Sequence, residues 1–548
     1  MAFTTRVDAG TGAASGAGQT PGTPFAVRVT SSELPSHDPL HLYEALAGPL
    51  GAEEVFLFES LAGPEKDRRS AVVGFGRLAE IRVYARHVEI AGPAALRGAV
   101  LAVADAAGMT ADPGATGATT GAGEHAADAA DAADTSNAAD AAHGADADAA
   151  VARRFDRPEQ LWELLRRAQE LFAVETDVPR DTYAFGFLTT LAYEAAWHMD
   201  ELPARESSRG GPDMTFTLVR DTVWYDRLTG ETRHRAARAE VFPPAPPLDL
   251  AAHAEAAARA PRGEEAPQAP APRSVRDSVA RETFLDWARR CLEHIRIGDI
   301  YQIQIGHRID VETELTPVEV YRRLRSRNPS PYMYLMPRAD QTVIGASPEL
   351  FFRTEGDEIL MRPIAGTTRR AESAEENQRR IKEMLASTKE QAEHVMLVDL
   401  CRNDIGRVCR PGTLAVDDLM TVEAYSHVFH IVSTVAGKLE DDADVWRSLC
   451  ATFPAGTMTG APKLRAMEII DGIEEEPRGL YAGAVGLIDV RGWSELALCI
   501  RTIVHDGRTY STQSSAGVVA ESSPEGEWNE TLAKMGAAYW ALTGEELS

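Results

Sequence analysis

Apolar and polar positions alternate along the first hundred residues. EEVFLFES (53–60), SAVVGFG (70–76) and EIRVYARHVEIAG (80–92) follow the two-residue period of a half-buried strand, so Phe25 to Val103 is predicted to form antiparallel strands. The period lengthens in PEQLWELLRRAQELF (158–172), which predicts a helix. AFGFLTTLAYEA (184–195) and FTLVRDTVWYD (216–226) read again as strands. From about Val275 onward, long helical patterns alternate with strands and few low-complexity breaks intervene.

Two stretches carry neither period. Residues 104–150 are nearly all Ala, Asp, Gly and Thr, and lack the apolar side chains needed to offset chain entropy. Residues 243–273 are rich in Ala and Pro and read as a linker. The expected organisation is a disordered N-terminus (1–24) and an N-terminal region (25–242) interrupted by a disordered insertion (104–150). A linker (243–274) then leads to a domain (275–548) that holds nearly all the chemistry-bearing motifs.

Composition narrows the function classes. The chain has 548 residues and a formal net charge of −27, which argues against a partner that is nucleic acid or an anionic membrane. Met1 to Thr23 has no apolar segment of the kind a signal peptide or anchor needs, so the expected location is the cytoplasm. The 5 cysteines form no CxxC pair and are expected to be reduced.

Two pairs of carboxylates have metal-ligand spacing. TKEQAEHVMLVDL sits in a helical pattern beginning near Ala374 and sets Glu390 and Glu393 three residues apart. SSPEGEWNETLAKMG predicts a second helix, with Ser523 as N-cap and Pro524 at its first position. It sets Glu527 and Glu530 three apart, with Lys534 a turn beyond. Residues at this spacing share one helix face, and two such faces together would offer a hard cation such as Mg²⁺ an all-oxygen site. Solvated helix faces show the same spacing, so the pattern alone leaves both readings open. In YSHVFHIVSTVAGKL, His430 falls on one strand face with Val428 and Val432, as either a core or a catalytic histidine, and His427 falls on the other face. FPAGTMTGAPK lacks the Gly-Lys-Ser/Thr of a phosphate loop but could hold a carboxylate on its backbone, as could RPIAGT around Gly366.

The ordered set GDIYQIQIGHR, NPSPYMYLM, IGASPELFFR, RPIAGT, AEHVMLVDLCRNDIGRV, YSHVFHIVS, FPAGTMTGAPKLRAMEIIDGIE, YAGAVG, IRT and ETLAK resembles the chorismate-binding enzymes, and the anthranilate synthase large subunits among them, from about Val275 to Leu547. The resemblance implies a large two-lobed α/β (α+β) fold, with sheets packed around a central active-site cleft and helices outside. It implies that Glu393 and Glu530, supported by Glu390 and Glu527, ligate Mg²⁺. Gly366 and Thr367 would hold the region of the ring carboxylate. Tyr481, Arg501, the backbone of Ser515, Ala516 and Gly517, and Lys534 would face the enolpyruvyl carboxylate, with Thr457 also lining the substrate site. Glu349 would assist loss of the ring hydroxyl, and His430 would act near the departing pyruvate.

Within the family, enzymes that add water typically carry a lysine base where this chain has Gln302. Those that make 4-amino-4-deoxychorismate carry a lysine where it has Ala365. Amination at C2 remains, either stopping at 2-amino-2-deoxyisochorismate or continuing through loss of pyruvate to anthranilate. The resemblance puts anthranilate first. No Gly-x-Cys-x-Gly turn is present, so ammonia is expected from a separate glutamine amidotransferase subunit. Ser515 stands where a glycine is usual, and Cys401 where a small residue is usual. Glu59 and Ser60, with Pro331, Tyr332 and Met333, resemble the two segments that clasp feedback tryptophan in anthranilate synthase large subunits.

Overall fold

The computed structural model describes residues 23–112, 149–203, 205, 211–261 and 266–547. Its strands pair antiparallel almost throughout, and two long ones form the spine. Ser70–Val83 pairs along one edge of Met214–Asp226, from Ser70↔Asp226 to Val83↔Met214. The other edge of Met214–Asp226 is shared: Thr232–Arg238 takes its C-terminal half and Gly186–Leu191 its N-terminal half.

Two arms of sheet diverge from this spine. One runs from Ser70–Val83 through Val55–Glu59, Tyr332–Arg338, Gln341–Ser347, Thr502–His505 and Tyr510–Val518 to Gln302–Glu312. The other runs from Gly186–Leu191 through Ala484–Asp489, Ser494–Leu498, Leu350–Glu355 and Glu358–Met361 to Val428–Lys438, which also carries Ile364–Arg369. Side chains from both arms, among them Leu188, Tyr334, Leu350, Val485 and Trp493, make a buried layer between them. Helices cover the outer faces. Met535 and Leu542 of Pro524–Thr543 pack with Val311 and Val320, while Val398 and Ile405 of Thr388–Gly406 pack with Val435 and Trp446.

The structure redraws the organisation expected from composition. Val55–Glu59 lies between Ser70–Val83 and Tyr332–Arg338, so N-terminal and C-terminal strands interleave in one sheet. Strand edges pair whatever their separation in sequence, and the boundary near residue 243 does not divide the core. The linker stretch contains a helix, Leu250–Arg259, capped by Asp249 and burying Leu250, Ala254 and Ala257. Alanine has the highest helix propensity, and three buried positions on one face suffice to dock a helix even in a Pro-rich neighbourhood. Residues 104–112 are likewise ordered. Ala104 is buried in the last turn of the helix Ala94–Ala106, Met109 is buried, and Thr110–Ala111 pairs with Val151–Arg154. The N-terminus up to residue 22 and residues 113–148 lie outside the described residues. All 5 cysteines are free, and among the described residues no helix is long and apolar enough to cross a membrane.

Candidate active site

The glutamate pairs come from two helices with serine caps. Ser387 adopts an extended conformation and divides the expected single helix into Ala374–Ala386 and Thr388–Gly406. Its hydroxyl accepts the Glu390 N–H at 3.3 Å, which fixes the first turn of the glutamate-bearing helix. Ser523 caps Pro524–Thr543 in the same way, accepting the Gly526 N–H at 3.2 Å. The two faces meet. Glu393 is pushed up to about 6 by burial, and Glu390, Glu530 and Glu527 add repulsion that Lys389 opposes. Burial and Glu530 also raise Glu527, whose buried Oε2 has no hydrogen-bond partner. Glu530 pairs with Lys534 at 2.7 Å.

Among the described residues no three His, Cys, Asp or Glu groups close into a ready-made metal cage. The donor set nevertheless suits Mg²⁺, which binds through one or two carboxylates and keeps several waters. Repelling carboxylates with an orphaned buried oxygen are relieved by such a cation.

Behind Glu390 runs Ile364–Arg369, whose register slips at Gly366, between Ala365 and Thr367. Gly366 has φ +63°, and a Cβ there would sit 2.8 Å from Ile431 and 3.2 Å from a Glu390 oxygen. A glycine is required both for the turn and for the close approach of the helix. Thr367 lies opposite His430, with Oγ1 2.9 Å from Nδ1, and the Gly366 carbonyl is 3.3 Å from the same nitrogen. Burial pushes His430 down to about 4, against the Gly366 carbonyl and with help from Arg501. The ring is therefore neutral near pH 7. His427 instead bonds the Arg327 carbonyl at 2.8 Å.

The opposite wall is built on Tyr510–Val518 and Gln302–Glu312, with Gln304 facing Gly517 and Gly306 facing Ser515. Tyr481 Oη lies 2.7 Å from Ser515 Oγ, and Ser515 Oγ donates to Gln304 Oε1 at 2.9 Å. Lys534 Nζ donates to the Ser515 carbonyl at 2.9 Å, and Arg501 Nη1 to the Lys534 carbonyl at 2.6 Å. A Cβ on Gly517 would come within 3.0 Å of both glutamine amides. Gln302 is buried and its Oε1 lacks a partner. Gln304 was not singled out above, although its place two residues from Gln302 on one strand put it on the same face. Ala516 is buried between Ser515 and Gly517.

Glu349 begins the turn into Leu350–Glu355 and is 7% exposed. Burial pushes it up to about 8, with Thr457 and the positive field of Lys534 opposing. The buried Thr457 hydroxyl has no well-directed partner of its own. Cys401 lies beneath this region, buried in the helix Thr388–Gly406. The FPAGTMTGAPK loop is tied to the same helix, because Lys463 Nζ donates to Asp404 at 2.8 Å and to the Thr452 carbonyl at 3.1 Å.

Glu59, Ser60, Pro331, Tyr332 and Met333 line one cleft, and Met333 pairs in register with Glu59. The Glu59 carboxylate already has two partners, Tyr321 Oη at 2.6 Å and Arg325 at 2.8 and 3.0 Å, while Ser60 donates to the Asp67 carbonyl. An incoming α-ammonium would share this carboxylate with Arg325 and Tyr321.

Residues 122–539 match the family model described as chorismate binding enzyme. The chain belongs to this family. It is a chorismate-utilising enzyme, and the family match begins well inside the region first read as N-terminal, in keeping with the interleaved strands. It is 43% identical to a protein named 2-amino-4-deoxychorismate synthase from Streptomyces globisporus, over 96% of this chain and 98% of that one. It is 42% identical to anthranilate synthase component 1 of Haloferax volcanii, over 67% of this chain and 72% of the relative. The crystal structure of anthranilate synthase component I from Streptococcus pneumoniae superposes with a TM-score of 0.63 at 25% identity, covering 86% of this chain and 92% of that one. Escherichia coli MenF, a menaquinone-specific isochorismate synthase, shares the fold with a TM-score of 0.61 at 15% identity, covering 96% of each chain.

Proposed function

We propose that the enzyme aminates chorismate at C2 with ammonia and releases the product with its enolpyruvyl group intact. The observation that carries this reading is the likeness to the S. globisporus synthase across nearly the whole of both chains, where the H. volcanii anthranilate synthase component covers 67% of this one. Attack at C2 with loss of the C4 hydroxyl yields a compound described equally as 2-amino-4-deoxychorismate or 2-amino-2-deoxyisochorismate. The C2–N bond forms, the ring double bonds shift, the C4–O bond breaks, and water leaves.

The residues fit that chemistry. Glu349, held up at about 8, carries a proton at neutral pH and donates it to the departing hydroxyl. The unpartnered Gln302 Oε1 accepts an N–H of ammonia and aims its lone pair at the ring. An amide cannot deprotonate water, and Ala365 cannot form an adduct, so neither competing nucleophile is served. Arg501 and Lys534, with the backbone of Ser515 to Gly517, face the enolpyruvyl carboxylate, while Gly366 and Thr367 face the ring carboxylate. Glu390, Glu393, Glu527 and Glu530 would hold Mg²⁺, which supplies positive charge to the dianionic substrate. Ammonia comes from a separate glutamine amidotransferase subunit.

Continuation to anthranilate is the second reading, supported by the anthranilate synthase relatives. Its step needs a proton acceptor and a donor near the enolpyruvyl ether. A neutral His430, pushed down to about 4, is a weak base, and its Nδ1–H is directed at the Gly366 carbonyl. The test incubates the purified chain with chorismate, Mg²⁺ and ammonium, identifies the product by mass and assays pyruvate. The aminated, enolpyruvyl-bearing compound is expected without stoichiometric pyruvate. Isochorismate or salicylate as the main product contradicts the reading.

A further inference from the structure

We infer that the hydrogen-bonded chain Gln304–Ser515–Tyr481 turns the Tyr481 hydroxyl proton away from the substrate and thereby stops the reaction before pyruvate is lost. This inference rests on the C2 amination proposed above. A carboxamide oxygen only accepts, so in the contact with Gln304 Oε1 the Ser515 hydroxyl is the donor, at 2.9 Å. A serine hydroxyl has one proton. Its contact with Tyr481 Oη at 2.7 Å must then use a serine lone pair and the phenolic proton. Burial holds the Tyr481 phenol up at about 12, so the proton is present and committed to Ser515. Tyr481 then has no phenolic proton left to donate to a bound substrate.

Two more contacts keep the chain in place. Lys534 fixes the Ser515 carbonyl, and Gln304 lies against Gly517, where a Cβ would come within 2.8 Å of its Nε2. A glycine at 515 would remove the relay, and Tyr481 could then donate into the cleft.

That donor matters for one step. Losing pyruvate removes the C2 proton, uses that electron pair to form the aromatic ring bond, and breaks the C3–O bond. The enolpyruvate takes a proton on its methylene carbon and leaves as pyruvate, so the atoms balance without oxidant or reductant. Negative charge builds on the departing fragment as C3–O breaks. A phenolic donor aimed there would stabilise that charge, whereas a phenolic lone pair opposes it. Ser515 acts through Tyr481 and is a positioning residue.

The test measures pyruvate released per chorismate consumed, with ammonium as nucleophile. Ser515→Gly is expected to raise the ratio at least about 10-fold, the scale of one hydrogen bond to a charged group. Gln304→Leu should raise it too, because Ser515 can then donate to Tyr481 and free the phenolic proton. In a Tyr481→Phe background, Ser515→Gly should leave the ratio where that background sets it, since no proton remains to release. An unchanged ratio in both Ser515→Gly and Gln304→Leu, with chorismate still consumed, overturns the inference while leaving C2 amination standing. A rise that persists in the Tyr481→Phe background overturns it as well. If the wild type makes a hydroxylated product, the underlying amination reading is what has failed. Circular dichroism of each variant separates these outcomes from misfolding.

Discussion

Replacing Glu349 with glutamine should uncouple the acid from the fold, and the two effects have opposite signs. In the folded chain the carboxyl is 7% exposed and burial raises it from 4.5 to about 8. The folded state therefore holds a proton that the unfolded chain releases between those values. The stabilisation is fully present below pH 4.5 and is lost as pH rises through about 8. At about 1.36 kcal/mol per tenfold, the interval sets an upper bound of about 5 kcal/mol between pH 4.5 and pH 9. Glutamine has the same shape and no ionisation, so Glu349→Gln should lose less stability than wild type on going from pH 6 to pH 9. Catalysis should move the other way. Without the acid, kcat should fall by about 10²- to 10⁴-fold, and in the wild type kcat should decline above pH 8 as the proton is lost. Thermal melts of both proteins across pH 6 to 9, with kcat profiles in ammonium buffers, check the two halves. Parallel Tm curves would refute the assignment of a buried, protonated Glu349, and a kcat within threefold of wild type would remove it from the chemistry.

Glu393→Gln or Glu530→Gln should lower kcat/KM at limiting Mg²⁺ by at least about 10²-fold without changing the circular dichroism spectrum; steady-state kinetics over a Mg²⁺ series would show it. If the cleft lined by Glu59, Ser60, Pro331, Tyr332 and Met333 takes tryptophan, tryptophan should inhibit and chorismate should relieve the inhibition. Equal insensitivity of wild type and Ser60→Phe up to millimolar tryptophan would eliminate the site. Excision of 113–148 should leave Tm and kcat near wild type. Thr110–Ala111 and Val151–Arg154 are paired neighbours, so a short turn can rejoin them.

What the sequence revealed depended on how local each feature was. Serine caps, glutamate spacing and strand alternation are set within one or two turns of chain, and Ser523, the glutamate pairs and the early strands were all readable. Ser387 shows the limit. Its helix-breaking role depends on an extended backbone between two helical patterns, and the apolar period passes straight through it. The helix at Leu250–Arg259 was obscured because an Ala-rich composition suits a solvated spacer and a docked helix equally. The interleaving of Val55–Glu59 with Tyr332–Arg338 arises from non-local strand pairing that no local period encodes. The donor direction at Ser515 likewise needed the distances to both Tyr481 and Gln304, which lie 34 and 211 residues away in the chain.

The central claim, amination at C2 with the enolpyruvyl group retained, is tested most directly by ¹⁵N-ammonium and ¹³C-labelled chorismate followed by NMR. A ¹⁵N–¹³C coupling at C2 is expected, together with persistent enolpyruvyl methylene signals. Free pyruvate appearing in step with chorismate loss, or a product whose ring carries no ¹⁵N, would contradict it.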